Sequence, residues 1–261
     1  MGEDRARLLH ALSTNHVQQL KPGEQVYAFF LTAQGRILAD AHILCFEESL
    51  LIDTEPETRE LLFRQIDHYI IADDVTLEDE TEATFSFGVE GQGSETLVDP
   101  FREFTIAPIT ATGAGGYRIY GPVARKQELW QQLLAAGAVP GDFHAMRVEH
   151  FQPRYSEDIT DKTLPQETGL THALHFQKGC YLGQEIVERI RSRAHVNRML
   201  RGLVFEGSAP APDAKVLEGE TEVGKITSSH GSSAIAMLRV SAGNEVSSEG
   251  VSAFTRPVHG A

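Results

Sequence analysis

Of the two cysteines in this 261-residue chain, only Cys180 stands where a thiol could do chemistry. It lies in Lys178-Gly179-Cys180-Tyr181-Leu182-Gly183-Gln184-Glu185, just ahead of a segment in which Ile186, Val187 and Ile190 share one helical face. A helix N-terminus and a neighbouring ammonium both favour a thiolate, so this placement predicts a reactive Cys180 assisted by Lys178. The flanking glycines would let a ligand approach the backbone closely. A lone cysteine is more often a small packed hydrophobe than a reagent. That bland reading fits Cys45, inside the apolar run Ile43-Leu44-Cys45-Phe46, whereas the polar, glycine-rich setting of Cys180 favours chemistry. Two cysteines cannot make a disulfide framework, nor hold an iron–sulfur cluster or zinc by thiolates of one chain. His172 and His175 lack a third ligand nearby in sequence, so no metal site is expected.

The elements that must position these residues read as an α+β chain. Short apolar runs from Gln25 to Thr54, broken at Ala33-Gln34-Gly35 and Glu47-Glu48, predict three adjacent strands. Leu61, Leu62, Ile66 and Tyr69 then recur at helical spacing within Glu55 to Ile71, with Pro56 just inside the start. Further strands are expected at Val75 to Leu77, Ala83 to Val89, Phe104 to Ile109 and Tyr117 to Tyr120, and a second helix over Val123 to Ala136. The alternation is too irregular for a doubly wound sheet. The glycine-rich stretches at Gly88 to Gly93 and Gly113 to Gly116 lack the spacing of a phosphate-binding loop that opens a helix and read as turns. Ser208-Ala209-Pro210-Ala211-Pro212 is the best candidate for a linker or loop. Residues 1–200 are therefore expected to form two α+β lobes and 201–261 a small β lobe, whose tail from Ser241 should pack loosely.

Composition excludes several classes. Thirty-seven acidic residues against 23 basic give a formal charge of -14, which repels nucleic acid backbones. The longest apolar runs fall well short of the roughly 20 residues of a spanning helix. The start Met1-Gly2-Glu3-Asp4-Arg5 carries no apolar core of a signal peptide, so a cytoplasmic protein without membrane or nucleic-acid partners is expected.

Lys178-Gly179-Cys180-Tyr181-Leu182-Gly183-Gln184-Glu185 resembles the signature KGCYxGQE of the YgfZ family, and the likeness runs on through Ile186-Val187-Glu188 to Arg189. Upstream, Arg147-Val148-Glu149 with Pro153 to Ile159 is similar to that family's RxExGxPxxxxDI stretch, and Leu164-Pro165-Gln166-Glu167 to its LPQE. The stretches LLHALSTNHVQQLKPGE and LTAQGRILAD and, near the end, Val223 to Ser229 also match, so the likeness spans nearly the whole chain. Ala194-His195 replaces a glycine common in the family. Relatives usually carry a further strand ahead of this start.

The resemblance implies the GcvT-like fold of the glycine-cleavage T-protein: three small lobes around a central folate channel, the last barrel-like. It implies tetrahydrofolate or a one-carbon derivative as ligand, Glu149 as the carboxylate gripping the pterin, and Tyr181, Gln184, Glu185 and Arg189 as its surroundings. A carboxylate suits that role because it accepts two parallel N–H bonds from a 2-amino-4-oxo pyrimidine ring. Without the motif, Glu149 would read as a carboxylate on a helix surface. The implied function is iron–sulfur cluster assembly or repair through Cys180, by a monomer serving iron–sulfur client enzymes. Alternatives are an aminomethyltransferase of glycine cleavage and a non-catalytic folate-binding scaffold. Between Lys178 and Arg201, six cations face only Glu185 and Glu188, and this local basic stretch is expected to attract the carboxylate tail of a polyglutamylated folate, Arg191 and Arg193 foremost.

Overall fold

The computed structural model describes residues 1–193 and 195–259, the side chain of Arg193 excepted. Ala194 and the tail effects of Arg193 therefore lie outside the described residues. Helix α1 (Arg5–Leu12) leads into strands β1 (Gln25–Leu31), β2 (Ile37–Cys45) and β3 (Leu50–Thr54), which form an antiparallel sheet of order β1-β2-β3, followed by helix α2 (Arg59–Tyr69). The strand period of two decides the packing. Val26, Ala28, Phe30, Ala39, Ala41 and Ile43 point to one face and are buried against Leu8, Leu9 and Leu12 of α1 and Leu62 and Ile66 of α2. Of these, the fully buried Phe30 and Ile43 each stabilise the lobe by about 1.5–3 kcal/mol, and each alanine methyl by less. The other face carries Tyr27, His42 and Asp53 side by side across the three strands.

The second lobe runs β4 (Thr84–Glu90), α3 (Ser94–Val98), β5 (Thr105–Ala107), β6 (Gly116–Pro122) and α4 (Lys126–Ala135), with sheet order β4-β6-β5. Phe85, Val89 and Ile119 pack there against Leu129 and Leu133. The strand expected at Val75 to Leu77 does not form. Val75 and Leu77 instead lie against the first lobe's core, so their apolar character is used in packing without a paired backbone.

Helix α5 (Phe143–Glu149), whose N-cap Asp142 accepts a hydrogen bond from Ala145 N at 3.0 Å, begins the connection to the third lobe. An irregular stretch follows, then α6 (Gln184–Arg193). The third lobe comprises β7 (Arg198–Phe205), β8 (Lys215–Glu218), β9 (Thr221–His230), β10 (Ser233–Arg239), β11 (Glu245–Ser248) and β12 (Val251–Arg256), a closed barrel of order β10-β7-β12-β11-β8-β9. Two expectations change. The Ser- and Gly-rich tail is not loose: β12 pairs with β7 and closes the barrel, while Val246 and Ala253 enter its core. Closure removes the exposed edges that such short strands would otherwise leave. Ser208 to Pro212 is a loop inside the barrel, between β7 and β8, and the boundary drawn at 200/201 falls within β7.

Two features join the lobes. Phe29, Leu31, Tyr155, Ile159, Tyr181, Val187, Leu200, Ile235 and Val258 form a shared apolar centre. Beside it the fully buried Arg147 donates to Asp158 at 2.8 Å, to Ser228 Oγ at 2.7 Å and to Glu157, while Asp158 accepts from the hydroxyls of Thr227 and Ser228. This ion-pair hub fixes α5 to the barrel. Among the described residues no helix is long and apolar enough to cross a membrane.

Candidate functional site

The Cys180 loop is held differently from the way its sequence suggests. Lys178 is 6% exposed. Its Nζ donates to the carbonyls of His10 and, at 2.8 Å, Ser13, just past the C-terminal end of α1, and lies 4.7 Å from the centre of the Tyr181 ring. Burial lowers the ammonium to about 8, while the helix-end carbonyls favour the charge. The expected pairing of Lys178 with the thiol is therefore replaced by an anchor. Cys180 is exposed, and no hydrogen bond to its sulfur is found among the described residues. Helix α6 begins only at Gln184, with Tyr181, Leu182 and Gly183 intervening, so the thiol does not sit at its N-terminus.

The remaining motif residues divide. Tyr181 is buried in the shared centre, and burial pushes its phenol up to about 12. Gln184 Oε1 accepts from Tyr181 N at 3.0 Å and ties the loop to the helix start. Both thus serve the loop's own structure. Glu185 and Arg189 are exposed on α6, and Glu149 is exposed at the last position of α5, the surface placement that its sequence alone suggests. Gly183, at φ +81°, has room for a Cβ only 2.6 Å from Thr32 O, so it serves the close approach of chain to chain rather than of a ligand.

The basic stretch is not one face. Arg191 pairs with Glu188 and stacks on Phe176 at 4.8 Å, Arg198 pairs with Glu167 at 2.9 Å, and Arg201 donates to the carbonyls of Val240 and Ala242. Its cations are mostly committed to local partners.

A second constellation, absent from the sequence-based site, occupies the free face of the first sheet. Tyr27 Oη donates to Asp40 Oδ2 at 2.6 Å, while Asp40 Oδ1 is buried without a hydrogen-bond partner among the described residues. Burial raises the Asp40 carboxyl above its usual range, opposed by the Tyr27 hydroxyl and by Arg154. Arg154 itself bonds Glu55 at 2.8 Å and Glu57 at 2.7 Å. Across the cleft, Arg118 and Tyr120 of β6 both reach Asp53, the tyrosine at 2.7 Å. Burial lowers His42 to about 4, Arg118 adding to the effect, so its imidazole stays neutral. The Tyr27 ring lies 4.9 Å from His42 and 5.4 Å from His172. Tyr27, His42, Arg118 and Tyr120 are only partly covered from solvent although protein surrounds them closely, so with Asp53 they form a polar wall where the second lobe meets the sheet face. Farther along, His150 and His259 flank Gly113, which puts α5, the C-terminal segment and the second lobe at one rim. A separate surface groove of about 480 Å³, lined by Glu157, Lys225, Met237 and Arg239 among others, lies on the barrel and shares no residue with this wall.

Superposition on solved structures decides the architecture. The glycine cleavage system aminomethyltransferase T of Bartonella henselae matches with a TM-score of 0.80 at 18% sequence identity, over 99% of this chain and 81% of that one. The fold is GcvT-like. Residues 1–108 match the GCVT N-terminal domain family and residues 195–259 the CAF17 C-terminal beta-barrel domain, and together they support membership of the GcvT-like superfamily. Among curated relatives, a candidate chloroplastic transferase of Arabidopsis thaliana is 27% identical over 253 residues, covering 87% of this chain but 58% of that protein. The chain thus spans little more than half of that relative's length. An aminomethyltransferase of Rubrobacter xylanophilus is also 27% identical, over 252 residues, covering 87% of this chain and 68% of that protein.

The GcvT-like arrangement makes the polar wall intelligible, since three lobes meeting around one sheet face leave a cleft over it. A sequence signal for the wall exists. Once three strands are assigned, alternation places Tyr27, Asp40, His42 and Asp53 on the face opposite Phe30, Ala39, Ala41 and Ile43. Four polar groups on the second face of a sheet buried on its first mark a lined cavity rather than open solvent only when another lobe covers them. Arg118 and Tyr120 could not be found this way, because their strand is distant in sequence.

Proposed function

We propose that this protein binds a reduced folate of the tetrahydrofolate type in the cleft over the first sheet, and serves iron–sulfur cluster assembly or repair through Cys180, as its YgfZ-like motif implies. One observation carries the binding half: Asp40, buried in the wall with Tyr27 on one oxygen and no hydrogen-bond partner among the described residues on the other. A buried carboxylate oxygen without a donor costs about 1–3 kcal/mol, and a ligand N–H removes that cost. The ring N–H and exocyclic amine of a pterin are donors of this kind, and Tyr27 and His172 offer aromatic faces for stacking. Glu149, one residue from His150 at the rim, is the second carboxylate of this reading.

Titration of the purified protein with tetrahydrofolate by calorimetry tests it. Asp40→Asn should weaken binding at least about tenfold, which is roughly 1.4 kcal/mol. Unchanged affinity would remove Asp40 from the site. Glu149→Gln tests the rim carboxylate separately. For the second half, Cys180→Ser should fold normally yet fail to restore iron–sulfur enzyme activity in cells lacking the protein. Full restoration would leave the thiol without a role.

Relatives named as aminomethyltransferases favour a second reading, transfer of an aminomethyl group to the folate. Release of methylenetetrahydrofolate from an aminomethylated carrier protein would establish it in place of the first.

A further inference from the structure

The Cys180 loop is fastened to α1 by a pair of reciprocal bonds. Lys178 Nζ donates to the His10 carbonyl, and the His10 ring meets the Lys178 carbonyl through Nε2 at 2.8 Å. The other His10 nitrogen, Nδ1, accepts from Gln18 N at 3.5 Å. A backbone N–H can only donate and a carbonyl can only accept, so this geometry requires the neutral imidazole protonated at Nε2. An imidazolium keeps its Nε2–H for the Lys178 carbonyl but has no acceptor left for Gln18, so what protonation sets against the loop is a second positive charge beside Lys178.

The surroundings sharpen the requirement. His16 stacks edge-on to His10 at 4.5 Å, His175 lies 5.2 Å beyond it, and His16 Nδ1 is buried without a hydrogen-bond partner among the described residues. The charged or titratable groups around the joint are His10 on α1, His16 on the segment leading to β1, and His175, Lys178 and Tyr181 on the loop. The groups that act on His10 and His16 are the other histidines and Lys178, with no carboxylate among them. Any proton added here places a second positive charge beside the buried Lys178 ammonium. Burial, with repulsion from Lys178 and the neighbouring rings, keeps His10 and His16 less basic than usual, against the bond to the Lys178 carbonyl, which favours a charged His10.

We propose that His10 and Lys178 are positioning residues forming a latch that holds the Cys180 loop on α1, and that protonation of the His10 ring opens it. The loop then leaves α1 while the barrel and the sheets stay folded. The inference concerns the loop used in the proposed function but needs no ligand for its test, so either can fail alone.

Hydrogen exchange of the full chain reads the latch directly. The Leu182 amide donates to Ala11 O at 2.9 Å and the His175 amide to Thr14 O at 3.0 Å, so protection over residues 175–183 reports the closed loop. After correction for intrinsic exchange, protection there should fall about tenfold between about pH 7.5 and about pH 5.5, with β7 in the barrel unchanged. His10→Gln, whose amide can repeat both hydrogen bonds without titrating, should keep protection at both pH values. Lys178→Met should lose it at both. No fall in the wild-type protein, an equal fall in β7, or a fall that persists in His10→Gln would each overturn the latch.

Discussion

Replacing Arg147 by methionine tests the hub that joins α5 to the barrel. The change leaves Asp158, whose side chain is fully buried, without its ion-pair partner. Breaking a buried pair from one side costs about 3–5 kcal/mol, because the remaining charge is uncompensated. Two local features adjust the figure. Asp158 keeps Thr227, Ser228 and the Arg154 amide as donors, which favours the lower end. Arg147 Nε is buried without a hydrogen-bond partner among the described residues, and removing it returns about 1 kcal/mol. The net loss is then about 2–4 kcal/mol. Urea unfolding should be followed by circular dichroism and, separately, by the fluorescence of the single tryptophan, Trp130, which reports the second lobe. The loss should appear in circular dichroism, with a smaller change in the tryptophan transition. The double variant Arg147→Met with Asp158→Leu should be more stable than the single one by at least about 1 kcal/mol, since it removes the stranded charge. A loss under about 1 kcal/mol, or strictly additive effects in the double variant, would refute the hub.

Three further outcomes are expected. Alkylation should modify exposed Cys180 at least about tenfold faster than half-buried Cys45, whose thiol burial pushes up, and equal rates would contradict the two placements. Gly183→Ala should cost about 2 kcal/mol or more and loosen α6, because it combines a left-handed φ of +81° with a Cβ 2.6 Å from Thr32 O; a stability unchanged in thermal melts would show that the loop can shift. His10, His16, His42 and His259 are held below their ordinary value by burial in the folded chain, so the unfolded chain binds more protons in mild acid. Stability should therefore be full above about pH 6.5 and fall as pH drops toward the folded values, about 4 for His42. His42→Gln should flatten part of that fall, and a profile identical to the wild type would mean that His42 takes no part.

Local pattern determined much of this protein. Short apolar runs between turn-like breaks announced the three strands of the first sheet, and helical spacing announced α2 and α4, because both signals are local. The motif around Cys180 was equally legible, as was its exposure on a glycine-rich loop. What the loop's neighbours do was not. Lys178 stands two residues from Cys180 in the chain, yet its ammonium goes to carbonyls of His10 and Ser13, more than 160 positions away, |i−j| being 168 and 165. No spacing rule encodes a partner at that separation. The Ser-rich tail illustrates the same limit: β11 and β12 are too short and polar to announce themselves, and they become strands because β7 supplies a complementary edge. Asp40 illustrates it for the site. Sequence placed an aspartate in an apolar strand, but only the closure of the second lobe over Asp53, through Arg118 and Tyr120, makes that sheet face the wall of a cleft. Tertiary packing decides which polar groups lose their water, and that loss gives a carboxylate its unusual proton affinity and its need for a ligand.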